Sequence, residues 1–191
     1  IWMLKFQTMT TLIIVVAIVA LLVLWFISVQ RKLVSKEESV KNALSQIGVQ
    51  QSSRWDALSA LADLVRSYNE HEYNTLKDVI AMRKDITRNS SAADVDAQEA
   101  GIAAALKQIN IVAERYPELK ANTMFDKTMD SVNTYENQVR MSRMVYNDSV
   151  TLYNRIIRQI PDSIVASMLH FEAKDYLKED SAKASMPSMK I

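Results

Sequence analysis

Residues Thr10–Val29 read TTLIIVVAIVALLVLWFISV, with no charged side chain, and Gln30-Arg31-Lys32 follows directly. A run of about 20 apolar residues crosses the hydrocarbon core of a bilayer as a helix. Nothing after it stops the helix: no Pro occurs before Arg88 and only one Gly, Gly48. Apolar residues recur at steps of three and four at Leu33, Val40, Leu44, Ile47, Leu58, Leu61, Val65, Tyr68 and Val79. That spacing is a heptad-like seam along one helix face. The pattern predicts one helix from Thr10 to Arg88, first a membrane span and then the first helix of a soluble bundle. Gly48 costs such a helix about 1 kcal/mol relative to Ala.

Composition narrows the rest. The whole chain has 191 residues, no Cys, two Gly, three Pro and a net charge of +1. So few turn residues disfavour a β-sheet, and the stretches between breakers favour helix. Between Arg31 and Asp180, 20 Lys and Arg face 22 Asp and Glu, leaving that part near −2. Phosphate neutralisation needs a basic face, so nucleic acid is not an expected partner. Without Cys there is no disulfide framework and no thiolate metal site. The apolar run is too long for a signal peptide, and no small-residue cleavage motif follows it, so an uncleaved single-pass anchor in membrane lipid is expected. Arg31, Lys32, Lys36 and Lys41 follow the span and Lys5 precedes it, which places the large domain in the cytoplasm by the positive-inside rule. A periplasmic or extracellular placement is the alternative.

The predicted organisation is a short flank at 1–9, the transmembrane helix at 10–29, a helical bundle at 30–180 and a disordered tail at 181–191. The fold class is all-α, an antiparallel bundle of three long helices plus a short fourth. Arg88-Asn89-Ser90-Ser91 is the first break, and Ser91 with Asp94, or Asp94 with Asp96 just inside, can cap the second helix. That helix runs to Tyr116, before Pro117, with a small apolar face at Ala97, Gly101, Ala104, Ala105, Ile109 and Val112. Thr123 with Asp126 resembles a capping pair for the third helix. Its seam steps by four and three from Phe125 through Met129, Val132, Val139, Tyr146, Val150, Tyr153 and Ile157 to Ile160, before Pro161. A short fourth helix is expected around 164–171.

Five polar residues interrupt the seams: Gln51, Arg54 and Glu72 on the first helix, Glu136 and Arg143 on the third. Buried charge is costly unless paired, so these imply partners on other helices. Arg54 and Glu72 sit about 27 Å apart along one helix and cannot pair with each other. A polar layer that fixes helix register is favoured over an ion or ligand site, since two acids balance two bases. His71-Glu72 lacks the second His, one helical turn on, of a metallopeptidase motif, because position 75 is Thr. The Tyr-Asn pairs at 68–69, 73–74, 146–147 and 153–154 are expected to make interhelical hydrogen bonds. No catalytic constellation, cofactor site or phosphate loop is legible, so no enzyme activity is expected.

Three blocks resemble the LemA family of bacterial membrane-anchored helical proteins. The first is Leu33-Val34 with Ile47, Val49-Gln50, Arg54, Asp56, Leu61, Val65, Tyr68 and His71-Glu72. The second is Tyr116 through Asn122, and the third is Glu136-Asn137, Arg143, Tyr146-Asn147, Val150, Tyr153-Asn154, Pro161, Ala166 and Phe171. The sequence departs from the family at Leu44 (usually Trp), at Ser53-Arg54 (usually paired Arg) and at Leu58-Ser59-Ala60 (usually Ile-Pro-Asn), as a divergent member does. The resemblance implies an N-terminal membrane helix, an antiparallel bundle, no established enzymatic activity and no cofactor. It also implies a setting among envelope proteins.

Two functions follow as expectations. One is a membrane-anchored scaffold that self-assembles as a homo-oligomer; the other is an adaptor that binds a membrane protease, a sensor or another envelope protein. The assembly surface is expected at Val40, Leu44 and Ile47. A second helix of about 22 residues, folded back from Arg88, reaches about 33 Å, only to the level of Val65. It would leave those three side chains bare.

Overall fold

Leu, Ile and Val up to Val29, then Leu, Ala and straight-chain polar residues, with no Pro and only Gly48, form one helix, α1, over Trp2–Arg66. In this computed structural model the described residues are 2–178, with side chains described at Gln7 and from Met9 onward. The expected tail at 181–191 lies outside them. The flank before Thr10 is not separate: it is helical from Trp2. The remaining helices are α2 (Glu70–Ile80), α3 (Ala92–Arg115), α4 (Pro117–Lys120), α5 (Thr123–Arg158) and α6 (Asp162–Met168). The fold is all-α.

The uninterrupted first helix to Arg88 is not what forms. α1 stops at Arg66, and Asn69 is extended (φ −159, ψ 119) with its side chain accepting the backbone N–H groups of His71 and Glu72. An Asn side chain competes with helix by bonding its own downstream backbone, which makes it a strong N-cap. Glu70 and Glu72 then sit in the first turn of α2, where carboxylates complement the helix dipole. Three residues between the helices suffice to reverse the chain.

That reversal changes the expected topology. Past α2, Arg83 donates to Asp56 at 2.6 Å and to Ser52, and the Ile86 backbone lies against Gly48. Residues 70–86 therefore run back along α1. α3 starts from that lower level and runs parallel to α1, not antiparallel: Gln51 bonds Val95, Trp55 bonds Gln98, and Asn69 bonds Tyr116. Of the two caps expected, Ser91 with Asp94 is the one that forms, as a reciprocal capping box. Tyr116 is driven out of the helical region (φ −120, ψ 83) by the following Pro117. α5 is antiparallel to both, since Asn122 meets Tyr68 and Glu136 meets Arg54. At its start Asn122, rather than Thr123, accepts the N–H of Met124 at 2.8 Å.

The described residues divide into two compact units, 2–39 with 151–174, and 40–150 with 175–178. The larger unit has a core from Trp55, Leu58, Leu61 and Val65 of α1, Leu76 of α2, Ile102, Ile109 and Val112 of α3, and Val132 of α5. α3 buries Val95, Gln98 and Ile102 on its inner face, while Ala97 and Ala104 of the expected small-residue face are exposed. The smaller unit packs Val29 and Leu33 against Ile156, Val165 and Ala166, with Trp25, Phe26, Ile157 and Phe171 around them. His170 in the left-handed conformation (φ 58) follows α6, and residues 171–178, without regular secondary structure, form a strap.

Candidate functional site

In the larger unit, Arg54 reaches across from α1 between two carboxylates. Its Nη1 donates to Glu99 at 2.5 Å and its Nη2 to Glu136 at 3.0 Å, with only 3% of the side chain exposed. Gln51, one turn earlier, donates to the same Glu99 at 3.1 Å and to the Val95 carbonyl at 3.3 Å. Three helices thus meet at one guanidinium, whose planar fork suits two carboxylates at once. Arg143 of α5 pairs with Asp96 of α3 at 2.9 Å and donates to the Lys178 carbonyl at 2.6 Å.

Arg54, Asp96, Glu99, Glu136, Arg143 and Lys178 line one cleft of about 750 Å³, with Lys107, Asn110 and Glu114 farther along it. Of the sequence-singled residues, Arg54, Glu136 and Arg143 therefore share a site, and Gln51 supports it from behind. Glu72 stands apart, bonded to Arg115. Asp96, Glu99 and Arg115 were not singled out by seam reasoning, because all three come from α3, whose inner face reads as small and apolar. The spacing of Asp96 and Glu99, one turn apart on the helix that must meet Arg54 and Arg143, was the available signal.

The cleft lining includes four acids and four bases and no Ser, Thr, Cys, His or Tyr. Its carboxylates Glu99, Glu136 and Asp96 are each committed to a guanidinium. Arg54 Nε, Arg143 Nη1 and Gln51 Oε1 are buried without a hydrogen-bond partner among the described residues. The arrangement is a partly buried ionic clasp beside an open cleft, in which Lys107, Lys178 and Glu114 are the charged groups not tied into the clasp's ion pairs. Among the described residues no group of three or more His, Asp or Glu could hold a metal ion.

The expected bare surface is corrected. Val40, Leu44 and Ile47 are 4%, 4% and 0% exposed within the single chain. The length argument failed because α3 climbs from beside Gln51 instead of folding down from Arg88. α5 is thus the helix that descends: it passes Arg54 at Glu136 and, at equal rise, reaches the level of Val40 at Val150. The Tyr-Asn pairs of α5 are corrected too. They bind the strap rather than another helix. In the larger unit Tyr146 donates to the Asp175 carbonyl at 3.0 Å, and Asn147 exchanges two bonds with Leu177 (3.0 and 3.3 Å). In the smaller unit Tyr153 donates to the Glu172 carbonyl at 3.0 Å, and Asn154 exchanges two bonds with Lys174, both at 2.9 Å.

A sequence profile of the LemA family matches residues 43–191, most of the chain. No curated protein matches it.

Proposed function

The chain belongs to the LemA family, and from that premise we propose that it is a membrane-anchored, non-enzymatic helical scaffold of the bacterial envelope. The observation that carries this reading is the N-terminal part of α1. Eighteen residues there have a mean hydropathy of 3.3 and are 6% buried, which supports a membrane span over a core helix of a soluble bundle. A removable leader is disfavoured by packing. Trp25, Phe26 and Val29, at the end of the apolar run, belong to the core of the smaller unit, and removing them would open it. The basic residues after the span favour a cytoplasmic bundle.

The ionic cleft favours a second reading, an adaptor whose bundle receives a segment of another envelope protein. Its exposed charges and mixed lining fit a polar peptide better than a small apolar ligand. Three measurements test the anchor, the choice between the two readings and the sidedness. Extraction with high salt and carbonate leaves an anchored chain in the membrane pellet, and release into the supernatant sinks the anchor. Mass by light scattering in mild detergent then distinguishes a homogeneous homo-oligomer, expected for the scaffold, from single copies that retain one partner. Protease added outside intact cells should leave residues 31–191 uncut, and digestion there reverses the sidedness.

A further inference from the structure

We infer that the turn between α5 and α6 is a second membrane contact, which seats its apolar tip at the headgroup–acyl boundary of an anionic bilayer. The inference rests on the anchored reading above and concerns the smaller unit alone. α5 is buried as far as Ile156, but Ile160, the last residue of its seam, is 83% exposed. On α6, Val165 and Ala166 face the core, while Ile164 and Met168, four residues apart on the opposite side, are 55% and 64% exposed. Three large apolar side chains on one short hairpin are more than scattered surface residues.

Their place in the unit says what covers them. Ile156 belongs to the cluster that holds Val29 and Leu33, and Asp162 is bonded to Lys32 at 2.6 Å. α5 travels toward the apolar end of α1. α5 ends at Arg158, so Ile160 lies at most about 6 Å beyond Ile156, between the levels of Val29 and Trp25. Those residues lie inside the run that ends at Val29. A tip at that depth lies within the roughly 5–10 Å to which interfacial apolar groups sink below the headgroups. Trp25 is the residue type that marks this level on a membrane helix. Arg31, Arg155 and Arg158 are exposed around it, where anionic headgroups would meet them. Of the acids nearby, Asp162 is paired with Lys32 and Glu37 with Lys174, while Glu172 is exposed.

The absence of Cys makes the test direct. Single cysteines are placed in the full chain by Ile160→Cys, Ile164→Cys and Met168→Cys. Val15→Cys reports on the span, and Met144→Cys is an exposed position of the larger unit. Each is labelled with an environment-sensitive fluorophore and reconstituted in vesicles of phosphatidylcholine and phosphatidylglycerol, with helix content checked by circular dichroism. The tip labels should lose emission to lipids carrying a nitroxide near the headgroup, Val15 to a nitroxide deep in the acyl chain, and Met144 to neither. If Val15 is quenched and the tip is not, this inference fails while the anchor stands. If Val15 is not quenched either, the anchor fails and the inference with it. A tip shielded from aqueous iodide yet untouched by either lipid quencher is covered by protein, which also overturns it.

Discussion

The backbone carbonyl of Ile86 occupies the space that a side chain at Gly48 would fill. Gly48 is therefore the point on α1 where the returning chain crosses closest, and its missing Cβ is what permits the crossing. Helix propensity alone says that Gly48→Ala stabilises by about 1 kcal/mol. The crossing says the opposite, because the obstructing atom is main chain and cannot rotate away. A net loss of about 1–3 kcal/mol, the range for overpacked sites, is expected in chemical denaturation. A stabilised variant would show that residues 83–87 do not lie on α1.

The same pair shows how far the sequence could be read. Periodicity located α1, α3 and α5 because their buried faces are long and regular, and the breaks at Ser91 and Pro117 are local chemistry that needs no partner. The break at Asn69 was legible in principle, since Asn69 with Glu72 has cap spacing, but the apolar rhythm runs straight through it to Val79. Missing that one cap reversed the direction of α3 and wrongly bared Val40, Leu44 and Ile47. The clasp was half visible: Arg54, Glu136 and Arg143 stand out as charges on apolar seams. Glu99 and Asp96 do not, because they lie at the edge of their helix's buried face and only the parallel packing of α3 turns them inward. The strap was not legible at all, for its bonds are to main-chain groups and leave no side-chain pattern.

Arg54 is the charge on which the larger unit depends most. Arg54→Ala leaves Glu99 and Glu136 facing each other without their shared cation, and a loss of about 3–5 kcal/mol is expected. Arg143→Ala removes one partner from a more exposed pair and should cost less. Combining Arg54→Ala with Glu136→Gln should recover part of the loss, since one of the two uncompensated carboxylates is gone. Additive losses in that cycle would mean the two residues do not interact.

Tyr153 ties alkaline stability to burial. Removal from water, followed by the charges of Glu37 and Glu172, pushes its phenol up to about 12. A group whose folded value is raised gives its full stabilisation below its unfolded value, about 10 for Tyr, and loses it as pH climbs toward the folded value. Stability should thus fall between about pH 10 and 12 as the unfolded chain ionises first. Tyr146, raised mainly by burial as well, contributes in the same direction. Tyr153→Phe should lower stability at neutral pH by about 1 kcal/mol through the lost bond to Glu172. It should also flatten part of the alkaline slope, and denaturation midpoints across that range read both effects. An unchanged slope would place the phenol in water.

Asn154 holds the strap by its backbone. Its amide donates to the Lys174 carbonyl and accepts the Lys174 N–H, both at 2.9 Å, and it is 5% exposed. Neither bond reads a side chain, so the strap's register at this point is set by one carboxamide. Asn154→Ala removes donor and acceptor together and leaves both main-chain groups of Lys174 without them, at a cost of about 1–3 kcal/mol for each group that stays buried. Asn154→Asp keeps an acceptor for the N–H but puts a carboxylate oxygen where the Lys174 carbonyl needs a donor. The two variants should therefore separate by amide. Hydrogen exchange at Lys174 N–H should speed up strongly in Asn154→Ala and much less in Asn154→Asp, while overall stability falls in both. Leu177 N–H is held by Asn147 instead and should respond to Asn147→Ala. If the Lys174 amide exchanges as fast in the unsubstituted chain as in Asn154→Ala, the strap is not clasped there in solution.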